Sequence, residues 1–490
     1  MRRHALLIFA SLFAGLLGPV SDSAWAKKKN KAQATEEVTE FGDAALGRVY
    51  HERLTAAFGI YEDPELAAYV QALGDELAAV APNNDYSWHF TVLDIDMVNA
   101  FALPGGYIYV TRGLLKQLNT EAQLAAVLGH EIGHVTERHA ARQHKASQVV
   151  GKVTGAMAAT SGGFNLGTLF GAGLVRGYGR EMELEADCTG AEIIAKLGYN
   201  PDAALEVLQT IKMLDDYMAA ADNDSGSDDE LATYHAMLSS HPEKERRMQE
   251  LVASAATTTT LSRDEGRERY LRHIDGLAIE GSTQQGVLRD NVMYHQAMNM
   301  AITFPADWEV ANLPDRLMAQ PPAGDALLVV RIYPQKAKRA RKVKVDQFLQ
   351  KRLGVRRWQN SRHEPVNGNP AFITQVPKAR TPYGLRLARV AAIYHNDSVF
   401  VFNGAAEDED RQRRYDAQFV NTIESFRPIG DDEAAQSEPI RIRTIEMPAD
   451  STLAALAGQS SFADEDLLRL LNGLYPDGEP AAGQLIKYVD

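Results

Sequence analysis

Residues 128–135 constrain this chain more than any other stretch of its sequence. They include His130, Glu131 and His134, so that two histidines stand four residues apart. Residues four apart lie on one face of an α-helix, and both imidazoles can therefore bind the same metal ion. Glu131 lies between them, where it can reach a metal-bound water without being a ligand itself. The alternative interpretation is a core helix with two incidental histidines.

The residues around this motif predict a helix. Thr120 is a suitable N-cap, and Gln123 stands three residues later, as a capping box requires. An apolar stripe at helical spacing follows, formed by Leu124, Val127, Leu128, Ile132 and Val135. Because a catalytic zinc takes three protein ligands and keeps one position open, a third ligand must come from elsewhere.

Candidates for the third ligand follow the motif. His139 is one residue out of the register that would supply a third histidine, and we interpret it as a helix-surface residue. Glu183 and Asp187 are four apart and share one face of a predicted helix. This spacing favours Glu183 as the ligand, with Asp187 orienting a ligand imidazole. Glu181 and Glu185 fall on other faces and are predicted to be solvated.

Four motifs together resemble one family of zinc peptidases. They lie in residues 99–110, 130–134, 183–187 and 240–247. In this combination they are similar to the HtpX heat-shock protease and the CAAX prenyl endopeptidases, which form metallopeptidase family forty-eight. The resemblance covers about residues 43–255. Gly179 is a departure, since many members have a serine there, but this position is not a ligand.

The resemblance implies a mainly helical zincin-type domain with a small sheet and one zinc ion per chain. Peptide bonds would be hydrolysed by a metal-activated water, with His130, His134 and Glu183 as zinc ligands and Glu131 as the general base. The developing oxyanion needs a hydrogen-bond donor. Arg247 or a tyrosine such as Tyr178 is expected to supply it, and both alternatives stay open.

Two further roles are implied by the same resemblance. The strand containing Tyr107, Ile108 and Tyr109 is expected to bind the substrate backbone as an added β-strand. The alternative is one face of an ordinary sheet. His241 is expected to occupy the fourth zinc position and hold the enzyme latent, whereas the alternative is a packing residue at a helix start.

The beginning of the chain is typical of an exported protein. Residues 1–26 have a basic start, an apolar segment shorter than a membrane span and an A-x-A site ending at Ala26. An uncleaved anchor is the alternative. Cys188 is the only cysteine, so no intrachain disulfide can form; we predict a small buried residue rather than a soft metal ligand. We therefore expect a periplasmic protein cleaved after Ala26, with peripheral membrane contact.

The sequence divides into a signal peptide and several predicted units. They are a signal peptide 1–26, a linker 27–42, the peptidase domain 43–255, a linker 256–284, a mixed α/β domain with an antiparallel sheet 285–428, an acidic linker 429–439 and a βααβ module 440–490 that weakly resembles LysM. The last module implies peptidoglycan contact, or a structural cap without a ligand. We expect its removal to leave peptidase activity intact.

Two other segments have an open interpretation. Residues 153–175 carry no charge but are rich in glycine, which favours a partly apolar flap over a membrane span. The basic run 336–344 is interpreted as a solvated loop, with binding of an acidic partner as the alternative.

The sequence as a whole predicts an α+β multidomain zinc metalloendopeptidase. The resemblance implies misfolded or misassembled envelope proteins as substrates and the outer-membrane assembly machinery as a partner. A formal net charge of −14 argues against nucleic acid. The alternatives are a chaperone-like binding protein with rare proteolysis and a cell-wall-associated glycan-binding protein. The presence of Glu131 favours the enzyme, because a pure binding protein has no need of that carboxylate.

Overall fold

The computed structural model of this 490-residue chain describes residues 43–142, 178–223, 263–313, 316–335, 344–354 and 357–489. The predicted signal peptide, the first linker and residues 153–175 lie outside the described residues, as does nearly all of the basic run. Within the described parts of the chain, no helix combines the length and the apolar character needed to cross a bilayer.

The first part of the chain consists of helices around a small sheet. Its elements are α1 (Asp43–Phe58), α2 (Pro64–Val80), β1 (His89–Leu93), β2 (Ala100–Leu103), β3 (Tyr107–Thr111), α3 (Arg112–Gln117), α4 (Glu121–Thr136), α5 (Arg180–Lys196), α6 (Ala203–Asn223), α7 (Arg267–His273) and β4 (Ala278–Glu280). Every residue of α4 except His130 is buried, so this helix runs through the core. A helix that is covered on all sides in this way is fixed by packing rather than by its own propensity.

Strand β3 is the middle strand of the first sheet. It pairs in parallel with β1 and antiparallel with β2. The backbone of Tyr107, Ile108 and Tyr109 is therefore paired with a neighbouring strand on both sides. The structure therefore corrects the prediction that these residues accept a substrate strand, since a strand can add only at an unpaired edge. In the described part of the chain, the edge strand that packs against α4 is β2.

A second, sheet-rich domain has its own core. Its elements are β5 (Val287–Arg289), β6 (Val292–His295), β7 (Met300–Thr303), β8 (Glu309–Leu313), β9 (Arg316–Gln320), β10 (Ala326–Pro334), α8 (Val345–Leu353), β11 (Gln359–Arg362), β12 (Ala371–Thr381), β13 (Gly384–His395), β14 (Ser398–Ala406) and α9 (Glu409–Glu424). Seven strands pair in the order β11-β12-β13-β14-β10-β9-β8. Ile393 packs in the core under α9 and Ala392 in the core under α8, because successive residues of a strand point to opposite faces. The predicted antiparallel sheet with packed helices is confirmed.

The C-terminal segment has the predicted order strand, helix, helix, strand. It contains β15 (Ile440–Glu446), α10 (Leu453–Ala457), α11 (Glu465–Leu471) and β16 (Leu485–Val489). Strand β15 pairs with β16 on one side and with β4 on the other. Leu468 and Ile486 are buried in the same core as α4. This differs from the separate module that the sequence predicted, while its resemblance to LysM stays a prediction.

Residues 263–284 also differ from the predicted linker. They contain α7 and β4, and Tyr270 and Ala278 from these elements are buried in the core that contains α4. The Tyr270 hydroxyl donates to the backbone carbonyl of Leu115 at 2.5 Å. Side-chain burial and strand pairing thus join residues 263–280 and 440–489 to the peptidase part of the chain.

Candidate metal centre

Helix α4 supplies two of the three side chains that converge in the site. It begins after Thr120, whose hydroxyl accepts a hydrogen bond from the Gln123 amide at 3.1 Å, so the predicted N-cap is confirmed. The Gln123 side chain accepts from the amide of Asn119 at 2.6 Å, one residue before the position used in a capping box. These two bonds set where the helix starts and therefore which face carries the histidines.

Small residues allow α5 to approach α4 closely. A Cβ atom at Gly133 would lie 2.9 Å from the Ala186 carbonyl oxygen, and one at Gly190 would lie 2.8 Å from the backbone nitrogen of His130. Real Cβ atoms do not come this close to backbone atoms, so larger residues would push the helices apart. The close approach brings Glu183, near the start of α5, beside the histidines.

Three side chains present donor atoms to one point. The Nε2 atoms of His130 and His134 are 3.0 Å apart. Glu183 Oε2 is 3.7 Å from His130 Nε2, and Glu183 Oε1 is 3.7 Å from His134 Nε2. Glu183 and His134 are buried, whereas 16% of the His130 side chain is exposed, so the group opens on the His130 side. Among the described residues, no other set of three His, Cys, Asp or Glu side chains has its ligand atoms within 4.8 Å of one another.

Asp187 fixes the ring of His130. Its Oδ1 lies 2.8 Å from Nδ1. Because a carboxylate only accepts hydrogen bonds, Nδ1 carries the hydrogen and Nε2 presents its lone pair to the site. Burial by itself lowers the pKa of His130, but the hydrogen bond and charge of Asp187, with the charges of Glu183 and Glu131, outweigh it and raise the pKa.

The donor set suits zinc. Imidazole nitrogen and carboxylate oxygen bind zinc at roughly 2.0–2.2 Å, and tetrahedral angles then separate the ligand atoms by about 3.3 Å. The observed separations of 3.0 and 3.7 Å lie on either side of this value. Two histidines and one glutamate also leave a fourth position for water or substrate.

Glu131 and Tyr178 lie beside the three donors. Glu131 is only 1% exposed. Burial raises the pKa of Tyr178, and the charges of Glu131 and Glu183 raise it further, so the phenol keeps its hydrogen at neutral pH. Its ring stacks on His134 with 4.2 Å between centroids and 24° between planes. Tyr178 can therefore donate a hydrogen bond here, whereas the other predicted donor, Arg247, lies outside the described residues.

A pocket adjoins the donors. It is lined by Leu103 at the end of β2, by Pro104 and Gly105 in the following turn, and by His134 and Tyr178. The edge of β2, the pocket and the metal donors are thus neighbours. His241, predicted as a fourth ligand, lies outside the described residues.

His139 is buried, which contradicts the prediction of a surface histidine. Its ring is 0% exposed, with Nδ1 2.8 Å from His134 Nδ1 and Nε2 3.0 Å from Glu185 Oε2. The prediction assumed a continuing helix. Instead α4 ends at Thr136, and Arg138 adopts a left-handed conformation with a φ of 56°, so the chain turns back toward His134.

Two other predictions on α5 need correction. Cys188, predicted to be buried, is exposed, because it follows Asp187 by one residue and so lies a quarter turn away from the buried face. Glu185, predicted to be solvated, is half-buried and bonded to His139. The prediction of an exposed Glu181 is confirmed.

A central helix with two imidazoles and a buried glutamate, completed by a carboxylate from the next helix, defines the metal centre of a metallopeptidase. Comparison with known families agrees with this class. Residues 64–255 match Peptidase family M48. This match confirms, for residues 64–255, the resemblance seen in the sequence.

Three relatives show how far the similarity extends. A beta-barrel assembly-enhancing protease of Yersinia pestis is 31% identical over 230 residues, which are 42% of this chain and 47% of that protein. The protein of the same name from Escherichia coli (strain K12) is 30% identical, over 42% and 45%. The mitochondrial metalloendopeptidase OMA1 of Schizosaccharomyces pombe is 31% identical, over 46% and 60%. The chain thus spans about half the length of the curated relatives it matches.

Proposed function

We propose that this chain is a zinc-dependent endopeptidase that hydrolyses peptide bonds of misfolded or misassembled envelope proteins. The observation that carries the proposal is the convergence of His130, His134 and Glu183 next to the buried Glu131. A chaperone-like or glycan-binding protein would not need a buried carboxylate beside three metal donors, because burying a charge is costly unless it has a function or a partner.

The side chains have distinct tasks in this proposal. His130, His134 and Glu183 hold the zinc, which when bound acidifies water and polarises a peptide carbonyl. Glu131 accepts a proton from the attacking water and passes it to the leaving amine. Tyr178 donates a hydrogen bond to the oxygen that becomes negatively charged, since its raised pKa keeps the phenol protonated.

The edge of β2 supports unfolded polypeptides as substrates. No strand in the described part of the chain pairs with its outer edge, so an extended segment can add there by backbone hydrogen bonds. Such a segment would pass the pocket lined by Leu103, Pro104 and Tyr178. Only a polypeptide whose backbone is not already paired can bind in this way, which selects unfolded or unassembled proteins.

An envelope location and an outer-membrane partner rest on two observations. Residues 1–26 have the pattern of a signal peptide with cleavage after Ala26. The relatives from Yersinia pestis and Escherichia coli are named for enhancing beta-barrel assembly. We propose on this basis that the protein acts in the periplasm, at the outer-membrane assembly machinery, in peripheral contact with the membrane and with peptidoglycan.

Glu131→Gln tests the mechanism. The variant should bind one zinc per chain, because Glu131 is not a ligand, and should degrade casein roughly 10²–10⁴-fold more slowly, the usual contribution of a general base. A chelator should abolish wild-type activity. Glu181→Gln is the matched control, because this glutamate is exposed on α5, and it should degrade casein at the wild-type rate.

The substrate class needs a separate measurement. One disulfide-bonded protein should be offered in its native form and in a reduced, alkylated form. We expect cleavage of the unfolded form only. Equal cleavage of both forms would contradict recognition through the β2 edge, and near-normal turnover by Glu131→Gln would contradict the mechanism.

A further inference from the structure

The two histidine ligands have different supports on α5. His130 bonds directly to Asp187 at 2.8 Å. The support of His134 runs through a second histidine: His134 Nδ1 lies 2.8 Å from His139 Nδ1, and His139 Nε2 lies 3.0 Å from Glu185 Oε2. Both supports end on the helix that also supplies Glu183.

Arg142 completes the second support. Its Nη2 lies 3.3 Å from Glu185 Oε1, and its Nη1 makes a shorter contact with Oε2. The guanidinium thus contacts both carboxylate oxygens, and this bidentate pair favours one rotamer of Glu185. Tyr178 covers the chain of hydrogen bonds, because its ring stacks on His134 and also contacts His139 with 5.7 Å between centroids.

The direction of the hydrogens follows from the acceptors. Glu185 can only accept, so His139 Nε2 carries a hydrogen, and the neutral ring presents a lone pair at Nδ1. His134 must then donate through its own Nδ1, which leaves a lone pair at Nε2 for the zinc. One tautomer is therefore imposed on His134 from a carboxylate two hydrogen bonds away.

The backbone is strained to allow this arrangement. In a continuous helix, residues five apart are separated by about 140° around the axis, so His139 would not reach His134. Arg138 interrupts the helical geometry with a φ of 56°. This left-handed conformation is unfavourable for a residue with a long side chain. Strain of this kind persists where the surrounding contacts require it, and here the contact is the His134–His139 hydrogen bond.

We propose that His139 and Glu185 are positioning residues that hold His134 in its zinc-binding tautomer and orientation through the chain His134–His139–Glu185–Arg142. The inference rests on the proposed zinc site but not on proteolysis. Removing such a partner of a ligand histidine commonly lowers metal affinity 10–100-fold. We expect this loss in His139→Leu, which has no polar atom to replace the imidazole.

Rescue by a conservative variant separates positioning from packing. His139→Gln retains a carbonyl oxygen to accept from His134 and an amide to donate to Glu185. Its zinc affinity should be closer to that of the wild type than to that of His139→Leu. The visible spectrum of the cobalt-substituted proteins should likewise change in His139→Leu and be restored in His139→Gln, because it reports the geometry of the ligands.

Glu185→Ala covers the case in which His139→Leu folds poorly. The Glu185 side chain is 42% exposed, so water can replace its carboxylate beside His139, and its removal should lower the thermal stability of the metal-free protein only slightly. Glu181→Ala on the same helix is the control. Zinc dissociation constants are measured for all four variants by competition with a chromophoric chelator.

The two outcomes are distinct. Weaker zinc binding by His139→Leu and Glu185→Ala, with normal binding by Glu181→Ala and recovery in His139→Gln, supports the inference. Wild-type zinc affinity in Glu185→Ala, with the metal-free protein folded, overturns it. Either result is independent of proteolysis, so a failure of Glu131→Gln to lose activity would overturn the proposed function alone.

Discussion

Replacing Lys487 with methionine should destabilise the peptidase core, although Lys487 lies 356 residues beyond Glu131 in the sequence. Lys487 lies on β16 and is fully buried. Its Nζ donates to the carbonyl oxygens of Lys116 at 2.8 Å and of Leu118 at 2.9 Å, in the turn that leads into α4. Methionine keeps the length of the side chain but cannot donate.

The magnitude follows from these two carbonyl groups. Each buried acceptor that loses its donor costs roughly 1–3 kcal/mol, and the apolar methionine recovers part of the penalty for burying an amine. We expect a net loss of about 2–4 kcal/mol in the free energy of unfolding. Lys212→Met is the matched control, because Lys212 is exposed and its pair with Asp216, four residues on, is worth about 0.3–0.5 kcal/mol.

Hydrogen–deuterium exchange of peptides from residues 121–136 is the suitable assay, since it reports on α4 without requiring the whole chain to unfold at once. At tenfold per 1.4 kcal/mol, a loss of about 2–4 kcal/mol accelerates exchange of the core amides roughly 30- to 700-fold. The faster exchange should appear both in residues 121–136 and in residues 440–489.

The opposite pattern would refute the reasoning. If residues 440–489 exchange faster in Lys487→Met while residues 121–136 keep wild-type protection, the C-terminal segment is an independent module, as the sequence predicted.

The pH dependence of stability provides a second check on Lys487. Burial lowers the pKa of Lys487 well below its usual range. The unfolded chain then binds more protons than the folded chain below about pH 10.4, so wild-type stability gains from rising pH. The stability deficit of Lys487→Met should therefore grow as the pH rises toward about 10.

Two further predictions concern α4 and its partners. Glu183→Ala should lose most of its zinc by elemental analysis, because a ligand is removed; full occupancy would reopen the identity of the third ligand. Glu121 is buried, and although burial by itself raises its pKa, its hydrogen bonds with Arg269, Tyr199 and Tyr69 lower it overall. The resulting stability is present above the unfolded pKa of about 4.3 and is lost as pH falls through the lower folded value. Urea denaturation should therefore show Glu121→Gln less stable than the wild type at pH 6, with the difference shrinking below pH 4; a constant difference would contradict this.

Local patterns in the sequence were sufficient to identify the residues of the metal site. The four-residue spacings of His130 with His134 and of Glu183 with Asp187 place each pair on one helical face, whatever the rest of the fold does. The start of α4 after Thr120 and the strands of the second domain were also readable, since caps and alternation are properties of neighbouring residues.

The close packing of α4 against α5 was harder to predict from the sequence. Gly133, Ala186 and Gly190 are small residues at the α4–α5 contact, and the latter two are four residues apart. Such a pattern indicates close packing only when the partner helix is known, because glycine and alanine also occur for other reasons. The sequence therefore predicted the ligands without predicting what brings them together.

Tertiary structure alone decided the remaining features. Whether a strand is central or at an edge depends on its neighbours, and among the described strands of the first sheet β3 is central whereas β2 lies at an edge. His139 reaches His134 only because Arg138 turns the chain, and nothing in a helical repeat marks that turn. The place of residues 440–489 in the core depends on contacts such as that of Lys487 with Leu118, which join parts of the chain hundreds of residues apart. Local patterns determine which face a side chain occupies, whereas only long-range packing determines what that face meets.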